Sequence, residues 1–98
     1  MLTTTQETAG TSLQGYVKTT RATLTAVLGE PMLFEDSKVT IEWGVRLGST
    51  VATVYDWKRE TEHAPEDNEL MIYNIGGFDT KATNLIVSLV DLWSRVGK

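Results

Sequence analysis

His63 is the only histidine in the 98 residues, and there is no cysteine. Thiolate metal sites, thiol nucleophiles and disulfides are therefore excluded. Glu60, Glu62, His63, Glu66 and Asp67 stand close in sequence and could gather a hard cation. A protein metal site, however, draws its ligands at fixed spacing from rigid elements, and this run surrounds Pro65 with solvated acids. The expectation is a mobile acidic loop over 59–69, with no metal and no cofactor. Ser12, Ser37, Ser49, Ser88 and Ser94 have no histidine placed as a base. Glu42, Asp56 and Asp79 offer carboxylates for acid–base chemistry, but their spacing specifies no reaction. Gly76-Gly77-Phe78-Asp79-Thr80 joins a strand to a helix. It lacks the lysine of a phosphate loop, and Asp79 stands where an anion would bind, so a tight turn with a helix cap is expected.

The aromatic residues carry more. Tyr55 and Trp57 lie two apart on a strand and share a face. Tyr73 is expected beside them on the next strand, and Lys58 brings a cation to the rim. Tyr55, Trp57, Lys58 and Tyr73 are the candidate binding residues, with Tyr16 as a further ring from the first strand. If the helices cover the opposite face, these rings and Lys18, Arg46 and Glu42 make an open sheet surface suited to recognition. The other reading places Trp43, Tyr55 and Trp57 in the core beneath the helices. Both faces of the strand over 50–58 are apolar enough to be covered, so the two readings stay open.

The elements that position these residues are legible from periodicity. Residues 38–58 read as a hairpin: Val39, Ile41, Trp43, Val45 and Leu47 alternate with more polar neighbours, and Gly48-Ser49 supplies the turn. Residues 12–18 make a short strand, with Leu13, Gly15 and Val17 on one side. Thr20 caps a helix over 21–28 striped by Leu24, Val27 and Leu28, which Gly29 and Pro31 terminate. Met32, Leu33 and Phe34 are expected to dip toward the core. A strand over 70–75 follows the acidic loop. Asp79 or Thr80 then caps a second helix to about Trp93, buried along Ala82, Leu85, Ile86, Leu89, Val90 and Trp93. The expected fold is α+β, in the order β-α-β-β-β-α. It is a four-stranded, mainly antiparallel sheet with two helices on one face. Residues 13–95 form one domain and residues 1–12 a flexible lead-in. An exposed edge strand would admit a homo-oligomer.

Composition sets limits. A net charge of −4 and a pI near 4.8 argue against a direct nucleic-acid binder, which shows a basic face. No apolar run approaches the ~20 residues of a membrane span, and the first residues lack the basic and apolar blocks of a signal peptide. A cytoplasmic location is expected.

The succession GYVKTTRATLTAVLGEP, KVTIEWGVRLGSTVATVYDWK and YNIGG leading to a helix resembles a family of small, mostly uncharacterised accessory proteins of tailed bacteriophages. The resemblance covers about residues 13–92. At Leu47-Gly48-Ser49 the chain departs from it, since an acidic turn is more usual there. The resemblance implies a product acting in the host-cell cytoplasm rather than a virion enzyme. It implies a non-enzymatic protein that binds and inhibits a host protein, plausibly an anti-phage defence factor. The alternatives are a module that sequesters a nucleotide-like signal on an aromatic sheet face, and a small enzyme of unspecified reaction.

Overall fold

The computed structural model describes residues 2–4, 10–34, 38–57 and 64–96. Its elements are β1 (Leu2–Thr4), β2 (Ser12–Thr19), α1 (Arg21–Leu28), β3 (Met32–Leu33), β4 (Ile41–Leu47), β5 (Thr50–Tyr55), β6 (Met71–Gly77) and α2 (Lys81–Val96). The fold is α+β with an antiparallel sheet. The sheet has six strands where four were expected, in the order β1-β4-β5-β6-β2, with β3 also paired to β4. The two additional strands are short. β1 lies along Val45–Leu47 and β3 along Ile41–Glu42, so together they flank one edge of β4. Neither carries a periodic pattern, because two or three residues become a strand through their partner rather than through propensity. The expected lead-in over 1–12 thus supplies β1 and the start of β2.

Local signals decide α1. The Thr23 N–H donates to Thr20 Oγ1 at 3.2 Å, which satisfies one of the helix's free amide groups. At the other end Gly29 adopts φ 93°, and its N–H closes on the Thr25 carbonyl at 3.0 Å. The hairpin is equally local. Leu47 opposes Thr50 across a two-residue turn, with Gly48 at φ 60°.

Both helices cover one face, and one core results. It joins Leu24 and Leu28 of α1 and Ala82 and Ile86 of α2 to Ile41, Trp43, Val45, Ala52, Val54, Tyr73 and Ile75 of the sheet. α2 lies so close that a Cβ on Gly77 would overlap the Ala82 methyl, and one on Gly15 would stand 2.6 Å from Thr83 Oγ1. The Ala82–Ile86 line meets the sheet. Leu85, expected deep in the core, lies on the flank of that line, and Trp93 lies further along it toward the end of α2; both are half-buried.

Two connecting stretches differ from expectation. Leu33 and Phe34 are exposed on the outer side of β4, because β3 runs along the edge instead of turning beneath the sheet. The second half of the acidic stretch is docked on the start of α1: Pro65 is buried and Ala64 packs on the core. Arg21 Nη1 donates to the Pro65 carbonyl at 3.1 Å, and the Ala22 N–H donates to the Asp67 carbonyl at 3.0 Å. Ala22 is in the first turn, where amide groups have no partner within the helix, so the loop supplies one. Lys58, Glu60, Glu62 and His63 lie outside the described residues.

Candidate recognition face

Residues opposed across an antiparallel sheet point to the same side. Tyr16 opposes Asn74, Asn74 opposes Tyr55, Tyr55 opposes Glu42, and Glu42 opposes Met32. These five residues form one row across five strands, on the face away from the helices. Trp57 continues the side of Tyr55 beyond the end of β5, and Lys18 opposes Ile72 in the next row. Tyr16 is 57% exposed, Trp57 47% and Ile72 60%. Large apolar groups gathered on a sheet face that neither α1 nor α2 covers are the kind of patch that usually has a use.

The ring that ends β5 and the ring just beyond it are in contact. Tyr55 and Trp57 meet edge to face, centroids 6.4 Å apart and planes at 80°, and Lys38 Nζ stands 5.9 Å from the Trp57 ring. Beside them Gly44, Thr53 and Gly76 make a row of small buried residues. Thr53 Oγ1 lies over Gly76, 2.5 Å from where a Cβ would stand, and Tyr55 Cε1 lies 3.5 Å from that point. Gly76 is what makes room for the Thr53 hydroxyl, while the Tyr55 ring lies at ordinary contact distance beside it.

Asp56, between the two rings, points the other way and is fully buried. It accepts from the Thr40 N–H at 2.7 Å, from the Ile41 N–H at 3.1 Å and from the Thr40 hydroxyl. A buried carboxylate needs such donors. Here they tie the end of β5 to the start of β4 and fix the segment from which Tyr55 and Trp57 project. Asp79 accepts from the Lys81 N–H at 2.9 Å, at the start of α2. Glu42 is half-buried in the open-face row, and that burial pushes its carboxyl above the usual carboxylate range. The three carboxylates considered for acid–base chemistry therefore occupy three separate settings. Among the described residues no group of three or more His, Cys, Asp or Glu could hold a metal ion. No helix among them is long and apolar enough to cross a membrane.

Of the residues expected on one surface, the structure brings together Tyr55 and Trp57, and Tyr16 with them. Tyr73 is corrected. It opposes Val17 on the helix-covered face, is fully buried, and meets Trp43 edge to face at 5.6 Å. The parity was readable from Asn74, whose polar side chain marks the outer face of β6 and so sends Tyr73 and Ile75 inward. Leu13 also changes side. A bulge at Gln14 sets Leu13 opposite Gly76 and Gly15 opposite Ile75, so Leu13 joins the open face and Gly15 the helix face. Lys38 and Ile72 were not singled out. Ile72 follows from the same Asn74 parity, whereas nothing in the sequence announces the reach of Lys38 over Trp57.

Comparison with known proteins finds no matching family model, no matching curated protein and no matching solved structure.

Proposed function

We propose that the chain is a non-enzymatic binding protein whose open sheet face docks on a partner protein. Tyr16, Tyr55, Trp57 and Ile72 would form its apolar centre, and Lys18, Lys38 and Glu42 its polar rim. The observation that carries this reading is the exposure of Tyr16, Trp57 and Ile72 on the side of the sheet that no helix among the described residues covers. Aromatic residues held rigid before contact lose little freedom on binding and dominate interface energetics. Asp56 clasps the segment between Tyr55 and Trp57, which supplies that rigidity. The likeness of the GY, GEP, TVATVYDWK and IGG segments to phage accessory proteins supports a partner in the host cytoplasm, and inhibition of a host factor such as one of anti-phage defence as the outcome.

The rival reading is sequestration of a nucleotide-like ligand, favoured by Lys38 and the Tyr55–Trp57 pair, since rings with a nearby cation also suit a planar anion. Capture experiments separate the two. Tagged parent, Trp57→Ala and Arg95→Ala proteins are recovered from bacterial cells, and both bound proteins and bound small molecules are identified by mass spectrometry. The proposal expects one protein recovered with the parent and Arg95→Ala but lost with Trp57→Ala. A small molecule with that dependence favours sequestration. Recovery indifferent to Trp57→Ala overturns both.

A further inference from the structure

We infer that the outer edge of β2 pairs with β2 of a second copy of this chain, antiparallel and centred on Val17. The two edges of the sheet are built differently. The outer side of β4 is occupied by β1 and β3, of three and two residues. At the other edge β2 runs for eight residues, and among the described residues no strand pairs with its outer side. A long unpaired edge is a template for another strand, and proteins that stay monomeric blunt it with charges, bulges or prolines.

The edge of β2 is blunted over only half its length. At Gln14 the bulge interrupts the register, and the side chain turns back so that Nε2 donates to Ser12 Oγ and to the Gly77 carbonyl, each at 3.1 Å. The regular part is 15–19. A twofold axis that uses all of it passes through Val17. Gly15 then opposes the partner's Thr19, and Tyr16 opposes the partner's Lys18. The helix side of the seam receives small residues. On the open side the only charge of β2 meets an exposed phenol ring, twice by symmetry. Directly opposed side chains have Cβ atoms about 4.5–5.5 Å apart, within reach of a cation–π contact. A register centred one residue further would set the two Lys18 ammonium groups against each other, so charge selects the Val17 register. The pairing doubles the six-stranded sheet and makes the two open faces continuous.

Sedimentation equilibrium from about 1 µM to about 500 µM, the range in which small interfaces associate, tests this, with circular dichroism to confirm folding. The parent dimerises. Tyr16→Lys opposes an ammonium to the partner's Lys18 and weakens the dimer roughly tenfold or more, whereas Tyr16→Glu opposes a carboxylate to it and stays within about threefold of the parent. Adding Lys18→Glu to Tyr16→Lys swaps the charges and restores the dimer. A parent monomeric throughout overturns the inference. So do Tyr16→Lys and Tyr16→Glu that weaken association equally, or a dimer that Trp57→Ala dissociates and Tyr16→Lys does not. That last result would place self-association on the open face.

Discussion

Replacing Asp56 by alanine should be among the most damaging single changes in the chain, although a carboxylate is an unusual place to look for stability. Asp56 is fully buried and accepts three hydrogen bonds, two from the backbone N–H groups of Thr40 and Ile41 and one from the Thr40 hydroxyl. Hydrogen bonds to a charged group contribute about 1.5–3 kcal/mol each, and a buried donor left unpaired costs about 1–3 kcal/mol. The three bonds share one acceptor and are not additive, so Asp56→Ala is expected to cost about 3–5 kcal/mol. For a domain of this size each kcal/mol moves Tm by about 4–8 °C, so the fall should be roughly 15 °C or more. Asp56→Asn is the informative companion. Its carbonyl oxygen can still accept from both N–H groups, while its NH2 meets the Thr40 hydroxyl as donor rather than acceptor. The charge assistance goes and the Thr40 hydroxyl proton loses its acceptor, at a cost of about 1–2 kcal/mol. Thermal melts followed by circular dichroism should therefore rank parent above Asn above Ala. If Asp56→Ala melts within a few degrees of the parent, or if Asn and Ala are equally damaging, the clasp is not what fixes the Tyr55–Trp57 segment.

Three further outcomes follow from the same geometry. Tyr73→Ala should cost about 3–5 kcal/mol by denaturant titration and Trp57→Ala less than about 1.5 kcal/mol, because one ring is core and the other a half-exposed edge-to-face partner; equal costs would undo the division of the sheet into two faces. Gly77→Ala should destabilise by about 1–3 kcal/mol through overlap with Ala82, and Ala82→Gly should recover part of that loss in a double-mutant cycle; strictly additive losses would show that the two do not touch. Burial raises the Glu42 pKa, so the folded state holds its proton to higher pH than the unfolded state does, and stability is lost as pH rises through the window between the two values. Glu42→Gln should therefore raise Tm at pH 7 and lose that advantage below the ordinary carboxylate range; a benefit independent of pH would refute the assignment.

What the sequence made legible was local. Thr20, Gly29 and the Leu24–Leu28 stripe define α1 locally, from cap to cap, and Gly48-Ser49 sets the hairpin register from the turn itself. What escaped was decided by partners distant in sequence. β1 exists because Leu2–Thr4 lies against Val45–Leu47, and no propensity in three residues foretells it. Asn74 marks the outer face of β6, but which residues of β5 that face joins depends on a register set across the connection from β5 to β6, where a shift of one residue sends every side chain to the other face. At Leu13 a single bulged residue reversed the parity read from alternation. The recognition face was thus half visible. Tyr55 and Trp57 follow from spacing along one strand, whereas the company they keep follows from cross-strand register.

The most direct test of the central claim is to find which face a bound partner covers. Oxidative footprinting of the chain, free and in complex with the protein it captures, reads this residue by residue. The account predicts protection of Tyr16, Tyr55, Trp57 and Ile72, with Leu92 and Val96 on α2 labelled equally in both states. Protection of Leu92 and Val96 with unchanged labelling of Trp57 and Tyr16 would contradict it.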